Sequence, residues 1–102
     1  MNKFIQVAKK TDIPAGKMRE CRIGDKTIVV ANTEGEYLAF DGLCTHAECP
    51  LAGGFLDGYT LTCYCHGAQF DIKTGKVLAP PATVPLNIYK VKTEGEDVFV
   101  AI

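Results

Sequence analysis

The sequence has no surplus of charge of either sign: eleven Lys plus Arg stand against twelve Asp plus Glu, a formal net charge of −1. That balance gives no reason to expect nucleic acid or an acidic membrane surface as a partner. No apolar run approaches the roughly 20 residues needed to cross a bilayer. The opening residues, Met1-Asn2-Lys3-Phe4-Ile5-Gln6, lack the apolar core of a secretory signal. A cytoplasmic chain without a membrane segment is therefore expected. No stretch keeps a helical apolar period over about 11 positions, so long helices are not expected. Paired carboxylates, a serine triad and a phosphate-binding loop are also missing. What remains is 102 residues, enough for one domain and one core, with 47% hydrophobic and 23% charged residues, which excludes a disordered chain.

The chain reads as short strands separated by turns. Phe4 to Ala8, Met18 to Ile23, Thr27 to Ala31, Tyr37 to Phe40, Tyr59 to Thr62 and Val98 to Ile102 are strand-sized segments. Leu86 to Lys92 alternates apolar and polar residues like one half-buried strand. Gly24-Asp25-Lys26, Lys73-Thr74-Gly75-Lys76 and Thr93-Glu94-Gly95-Glu96-Asp97 supply turns, and Asp12 to Gly16 reads as a turn or a single helical turn. Ile28-Val29-Val30 is apolar on both faces, as a central strand requires. The expected fold is all-β, an antiparallel β-sandwich or small barrel.

Five cysteines are many for so short a chain, and four of them lie between Cys44 and Cys65 together with both histidines, His46 and His66. Clustering of Cys with His in a chain without an export signal favours a metal centre over a disulfide scaffold. The first group is Cys44-Thr45-His46-Ala47-Glu48-Cys49-Pro50; the second is Cys63-Tyr64-Cys65-His66-Gly67. Sixteen residues separate His46 from Cys63, enough for a hairpin turning at Gly53-Gly54 and Asp57-Gly58. Each group then offers one thiolate and one imidazole from the tip of a β-loop. Two Cys and two His can close a structural zinc site. Alternatively, the two Cys hold one iron of a [2Fe–2S] cluster and the two His hold the other. Zinc loops usually pair like with like, whereas each loop here mixes the two residue types.

The pair Cys44-Thr45-His46 and Cys63-Tyr64-Cys65-His66-Gly67 resembles the C-x-H…C-x-x-H signature of Rieske iron–sulfur proteins. Gly67-Ala68-Gln69-Phe70-Asp71, Thr74-Gly75 and Pro80-Pro81 resemble the same family's continuation, so the likeness covers nearly the whole chain. It implies a single Rieske domain over 1–102, with a cluster-binding subdomain at about 42–82 inserted between sheet strands. It also implies one [2Fe–2S] cluster, with Cys44 and Cys63 on the inner iron and His46 and His66 on the outer. Pro80-Pro81 would be the loop that covers the cluster, the plain alternative being a surface turn. The function implied is that of a soluble electron carrier, a monomer passing single electrons from a reductase to an oxygenase or other acceptor, and not itself an enzyme. The alternative is a small Rieske subunit of a larger oxidoreductase. A third reading is a cluster-free domain like the small subunit of some nitrite reductases, which lacks the ligands present here.

Cys49 and Cys65 depart from the ferredoxins of ring-hydroxylating oxygenases and match the respiratory Rieske subunits, where the equivalent pair forms a disulfide. The resemblance implies the same bond here, against the alternative of two thiols kept reduced in the cytosol. Respiratory relatives carry Ser and Tyr where Ala68 and Phe70 stand. Without those hydroxyl donors, the potential should lie near the lower end of the family range of about −150 to +300 mV. Of the other candidates, Cys21 reads as a buried small hydrophobe and Glu48 as a solvated side chain. Tyr64 reads as a cluster shield or docking residue, and Asp41 and Asp71 as turn caps.

Overall fold

The computed structural model describes residues 3–45, 48–65 and 67–102. Eleven strands are present among them, all paired antiparallel, in three sheets. In the first, β1 (Phe4–Lys9), β11 (Asp97–Ala101) and β10 (Val91–Glu94) lie in that order. The second is ordered β2 (Met18–Ile23), β3 (Lys26–Thr33), β4 (Glu36–Asp41) and β9 (Ile88–Tyr89). The third is a meander of three-residue strands, β5 (Phe55–Asp57), β6 (Thr60–Thr62), β7 (Gln69–Asp71) and β8 (Val77–Ala79), which falls in sequence between β4 and β9. The only helical segments described are two single 3₁₀ turns, Lys10–Asp12 and Leu51–Gly53. No described helix is long and apolar enough to cross a membrane.

The β3–β4 pair explains the layering. Side chains alternate across a strand, so Ile28 and Val30 enter one core while Val29 and Ala31 enter another, and all four are fully buried. Ile28 and Val30 pack with Ala39, Val98 and Val100 against the first sheet. Val29 and Ala31 pack with Phe40, Leu61, Phe70 and Ile72 against the third. The middle sheet is thus covered on both faces, as the unbroken Ile28-Val29-Val30 run leads one to expect.

Three polar contacts tie the third sheet to the middle one. The hydroxyl of buried Thr33 donates to the carbonyl of Gly58 at 2.7 Å. The Tyr59 hydroxyl donates to Glu36 Oε2, and Lys73 Nζ reaches the same oxygen at 3.0 Å. These donors, Tyr59 foremost, hold the Glu36 carboxyl below its usual pKa.

The segment expected as one strand over Leu86 to Lys92 is instead split at Lys90. β9 pairs with β4, whereas β10 pairs with β11 in the other sheet. Leu86 is buried in the core beneath the third sheet, but Ile88 is exposed. The alternation persists in sequence while the chain crosses from one sheet to the next, so it does not mark one face. The expected Asp12 to Gly16 turn is present, closed by the Lys17 N–H donating to the Pro14 carbonyl at 3.0 Å with Gly16 at φ +80°. A 3₁₀ turn at Lys10–Asp12 precedes it, where Asp12 accepts the Lys9 N–H at 2.9 Å.

Gly75 holds the β7–β8 turn against the end of the segment leading to β9. Its φ is +85°, and a Cβ there would lie 2.2 Å from the Leu86 carbonyl oxygen. The Leu86 N–H donates to the Gly75 carbonyl at 2.8 Å, so neither backbone can withdraw without losing a bond. Gly75→Ala is expected to destabilise the fold by about 3 kcal/mol, combining left-handed strain with the clash. Urea unfolding would show this as a lower midpoint, and an unchanged midpoint would contradict the packing described.

Candidate metal centre

Two loops project from the third-sheet side of the molecule, and the backbone builds them alike. In the first, the Cys44 N–H donates to the Cys49 carbonyl at 2.8 Å, and the Glu48 N–H donates back to the Cys44 carbonyl at 2.7 Å. In the second, the Cys63 N–H donates to the Ala68 carbonyl at 2.8 Å, and the Gly67 N–H to the Cys63 carbonyl at 3.1 Å. Each loop therefore closes over the same interval, with the residue four after its cysteine in the left-handed region: Glu48 at φ +55° and Gly67 at φ +78°. Gly67 suits that conformation, whereas Glu48 adopts it at a cost and turns its side chain to solvent. The sequence shows one C-x-H and one C-x-x-H spacing, which hides this common closure.

The two cysteines at the loop bases are Cys44, 0% exposed, and Cys63, 1% exposed, and both belong to the core that contains Ala68 and Phe70. Neither is in a disulfide. A disulfide does join Cys49 to Cys65 across the loops, with a Cα–Cα distance of 6.5 Å. The implied pairing is therefore present. It commits two of the four clustered cysteines and leaves Cys44 and Cys63, one per loop, as the candidate sulfur donors. His46 and His66, the expected nitrogen donors, lie outside the described residues.

The surroundings of the loops are equally specific. Leu43 and Pro50 form a β-bridge at the base of the first loop, and the Leu51 N–H donates to Gly42 at 2.8 Å. The Thr45 hydroxyl donates to the Val84 carbonyl at 2.7 Å, tying this loop to the segment after Pro80-Pro81. Both prolines are exposed, while Ala82 next to them is buried in the core of Cys44 and Cys63. Ala68 and Phe70 are fully buried in that same core and carry no hydroxyl. The Tyr64 ring is 53% exposed and lies over the 51–53 turn; a Cβ on Gly53 would come within 3.0 Å of it.

Other candidates have plainer roles. Asp71 caps its own turn, accepting the Lys73 N–H at 2.8 Å. Asp41 instead reaches the adjacent strand β9 and the residue before it, accepting from the Asn87 N–H at 2.8 Å and the Tyr89 hydroxyl at 2.7 Å. Burial, together with that bond to Asp41, pushes the Tyr89 phenol up to about 12. Cys21 is half-buried rather than buried, at the margin of the other core, where desolvation raises its thiol pKa. The sequence reading missed β5, β7 and β8, although the Lys73 to Lys76 turn signalled the β7–β8 hairpin.

Two loops joined by a disulfide, each with a buried cysteine that is not disulfide-bonded and a histidine nearby in sequence, make a candidate metal centre on a β fold. Comparison with known proteins says which. Residues 3–90 match the family model described as the Rieske [2Fe-2S] domain, and the chain belongs to that family. The biphenyl dioxygenase ferredoxin subunit of Pseudomonas sp. (strain KKS102) is 35% identical over 98 residues, covering 95% of this chain and 90% of the relative. The ferredoxin component of biphenyl 2,3-dioxygenase from Rhodococcus jostii (strain RHA1) is 38% identical over 95 residues, covering 93% and 89%. Among solved structures, the ferredoxin of Sphingomonas yanoikuyae B1 superposes with a TM-score of 0.90 at 29% identity, covering 96% of this chain and 97% of that one. The cofactor of this family is one [2Fe–2S] cluster, and the buried Cys44 and Cys63 thiols, one per loop, suit it.

Proposed function

We propose that this chain is a one-electron carrier that takes electrons from a reductase and delivers them to an oxygenase, acting as a cytoplasmic monomer. The observation that carries this reading is the placing of one buried cysteine in each of two matched loops on a Rieske fold. Similarity over nearly the full length to ferredoxin components of dioxygenases supports it. In this reading, Cys44 and Cys63 hold the inner iron as thiolates, and His46 and His66 hold the outer iron. When bound, the cluster supplies a single reversible electron. The protein's part is to keep the sulfur side dry and rigid: Cys44 and Cys63 sit in packed core, the disulfide clamps the loops, and Pro80-Pro81 covers one side. The chain functions as one domain, with residues at about 42–82 forming the part that holds the cluster.

Ala68 and Phe70 set the potential in this reading. Both side chains are buried in the same core as Cys44 and Cys63, and neither can donate a hydrogen bond. The reduced cluster, being more negative, is then held less tightly, and the potential lies toward the lower end of the family range of about −150 to +300 mV. Ala68→Ser and Phe70→Tyr should each raise it. A hydrogen bond worth about 1 kcal/mol more in the reduced state corresponds to roughly 40 mV for one electron. Potentiometric titration of the wild type and the two variants tests this. A wild-type potential near the top of the range, or variants that leave it unmoved, would overturn the assignment of these positions. Transfer itself is tested by mixing the reduced protein with an oxygenase of the kind its relatives serve and following reoxidation.

A further inference from the structure

The structure places a third cysteine beside the disulfide. The Sγ atoms of Cys49, Cys63 and Cys65 all lie within 4.8 Å of one another, and Cys63 is not disulfide-bonded. Exchange proceeds by attack of a thiolate on a disulfide sulfur, and Cys63 lies within that distance of both sulfurs of the bond. We propose that Cys63 and the Cys49–Cys65 disulfide form a thiol–disulfide exchange relay, which in a chain without its cluster moves the bond onto Cys63.

The step is redox-neutral. The Cys63 sulfur attacks Cys49 Sγ as its thiolate, and the proton it gives up is balanced by the one that Cys65 takes up. The Cys49–Cys65 bond breaks, a Cys49–Cys63 bond forms, and Cys65 leaves as a thiolate that takes up a proton. No oxidant or reductant is consumed. Attack at Cys49 is favoured over attack at Cys65, because a Cys63–Cys65 bond would close over the single intervening residue Tyr64. Cys49 and Cys65 are half-buried and pack against the core that contains Cys63, so the three sulfurs meet at the edge of that core.

The consequence rests on Cys63 being a cluster ligand. A Cys63 thiolate held by iron cannot attack the disulfide, so cluster and native disulfide protect each other. While the bond lies on Cys63 the chain lacks that ligand, and attack by the freed Cys65 thiolate or reduction by an added thiol returns it. Loading then competes with exchange through a pairing internal to the two loops.

Disulfide mapping tests the relay directly. The full-length cluster-free chain, oxidised at Cys49–Cys65, is held anaerobically at mildly alkaline pH without added thiol. It is then acid-quenched, alkylated, digested and mapped by mass spectrometry. Over hours, about a tenth of the chains or more should carry a disulfide through Cys63, chiefly to Cys49. Cluster-free Cys63→Ser should keep Cys49–Cys65 alone. A wild-type cluster-free chain that also keeps only Cys49–Cys65 would overturn the relay. The cluster-loaded chain separates the two readings. With alkylation done in native buffer, Cys63 protected there but labelled in the cluster-free chain supports its role as ligand whether or not the relay operates. Cys63 alkylated there while exchange proceeds without the cluster would leave the relay standing and the ligand role refuted.

Discussion

Cys63→Ser is expected to abolish cluster binding, with iron and acid-labile sulfide both falling to about a tenth of the wild-type content or less. The reason is positional as well as chemical. Cys63 is 1% exposed, at the base of a loop whose backbone closes on its own N–H and carbonyl, so no neighbouring residue can take its place. The other sulfurs close by, Cys49 and Cys65, are committed to a disulfide. Binding free energy at such a site is also folding free energy for the loops around it, so the variant should lose loop order along with metal. Cys44→Ser should behave in the same way, as should His46→Ala and His66→Ala. Cys21→Ser is the control: it lies in the other core and should keep the full complement of iron. Metal and sulfide analysis of the five variants reads this out. A Cys63→Ser protein with full iron and sulfide would contradict the ligand assignment, and loss from Cys21→Ser would contradict the placement of the site.

Removing the disulfide should act differently. The Cys49→Ser, Cys65→Ser double variant is expected to load a cluster but to lose about 3 kcal/mol of stability, since the bond closes a loop with a sequence separation of 16. For a domain of 102 residues that corresponds to a fall of roughly 10–20 °C in the unfolding midpoint. The bond joins the two loops that present Cys44 and Cys63, so the cluster should also be released at lower urea concentration. Calorimetry of the loaded protein, with visible absorbance followed alongside, gives both quantities. A midpoint unchanged by the double substitution would show that the third-sheet core holds the loops by itself. Failure to load any cluster would give the pair a role beyond clamping.

The two predictions separate what the sequence makes legible from what it does not. Cys44, Cys63 and the two histidines stand out because few residue types offer sulfur or nitrogen to a metal, and they fall in one short window. The central strand was equally legible, since Ile28-Val29-Val30 is apolar on both faces and a sheet covered on both sides is the arrangement that buries them. The short strands were not. Phe55–Asp57, Gln69–Asp71 and Val77–Ala79 have three residues each, too few to show a period. They are held by Leu61, Phe70 and Ile72 entering a shared core, which is a tertiary effect. Leu86 to Lys92 misled for a related reason, because alternation records neighbouring side chains on opposite faces but not which sheet each face belongs to. The matched closure of the two loops was invisible as well, since it is made by backbone hydrogen bonds and a left-handed residue that is Gly67 in one loop and Glu48 in the other.

The measurement that tests the central claim most directly is low-temperature electron paramagnetic resonance on the dithionite-reduced protein, with iron, acid-labile sulfide and zinc counted in the same sample. A two-iron, two-sulfide cluster with mixed sulfur and nitrogen ligation predicts a rhombic one-electron signal, two irons and two sulfides per chain, and no stoichiometric zinc. One bound zinc per chain with no signal would contradict that account, because it would make the two loops a closed structural site unable to carry an electron.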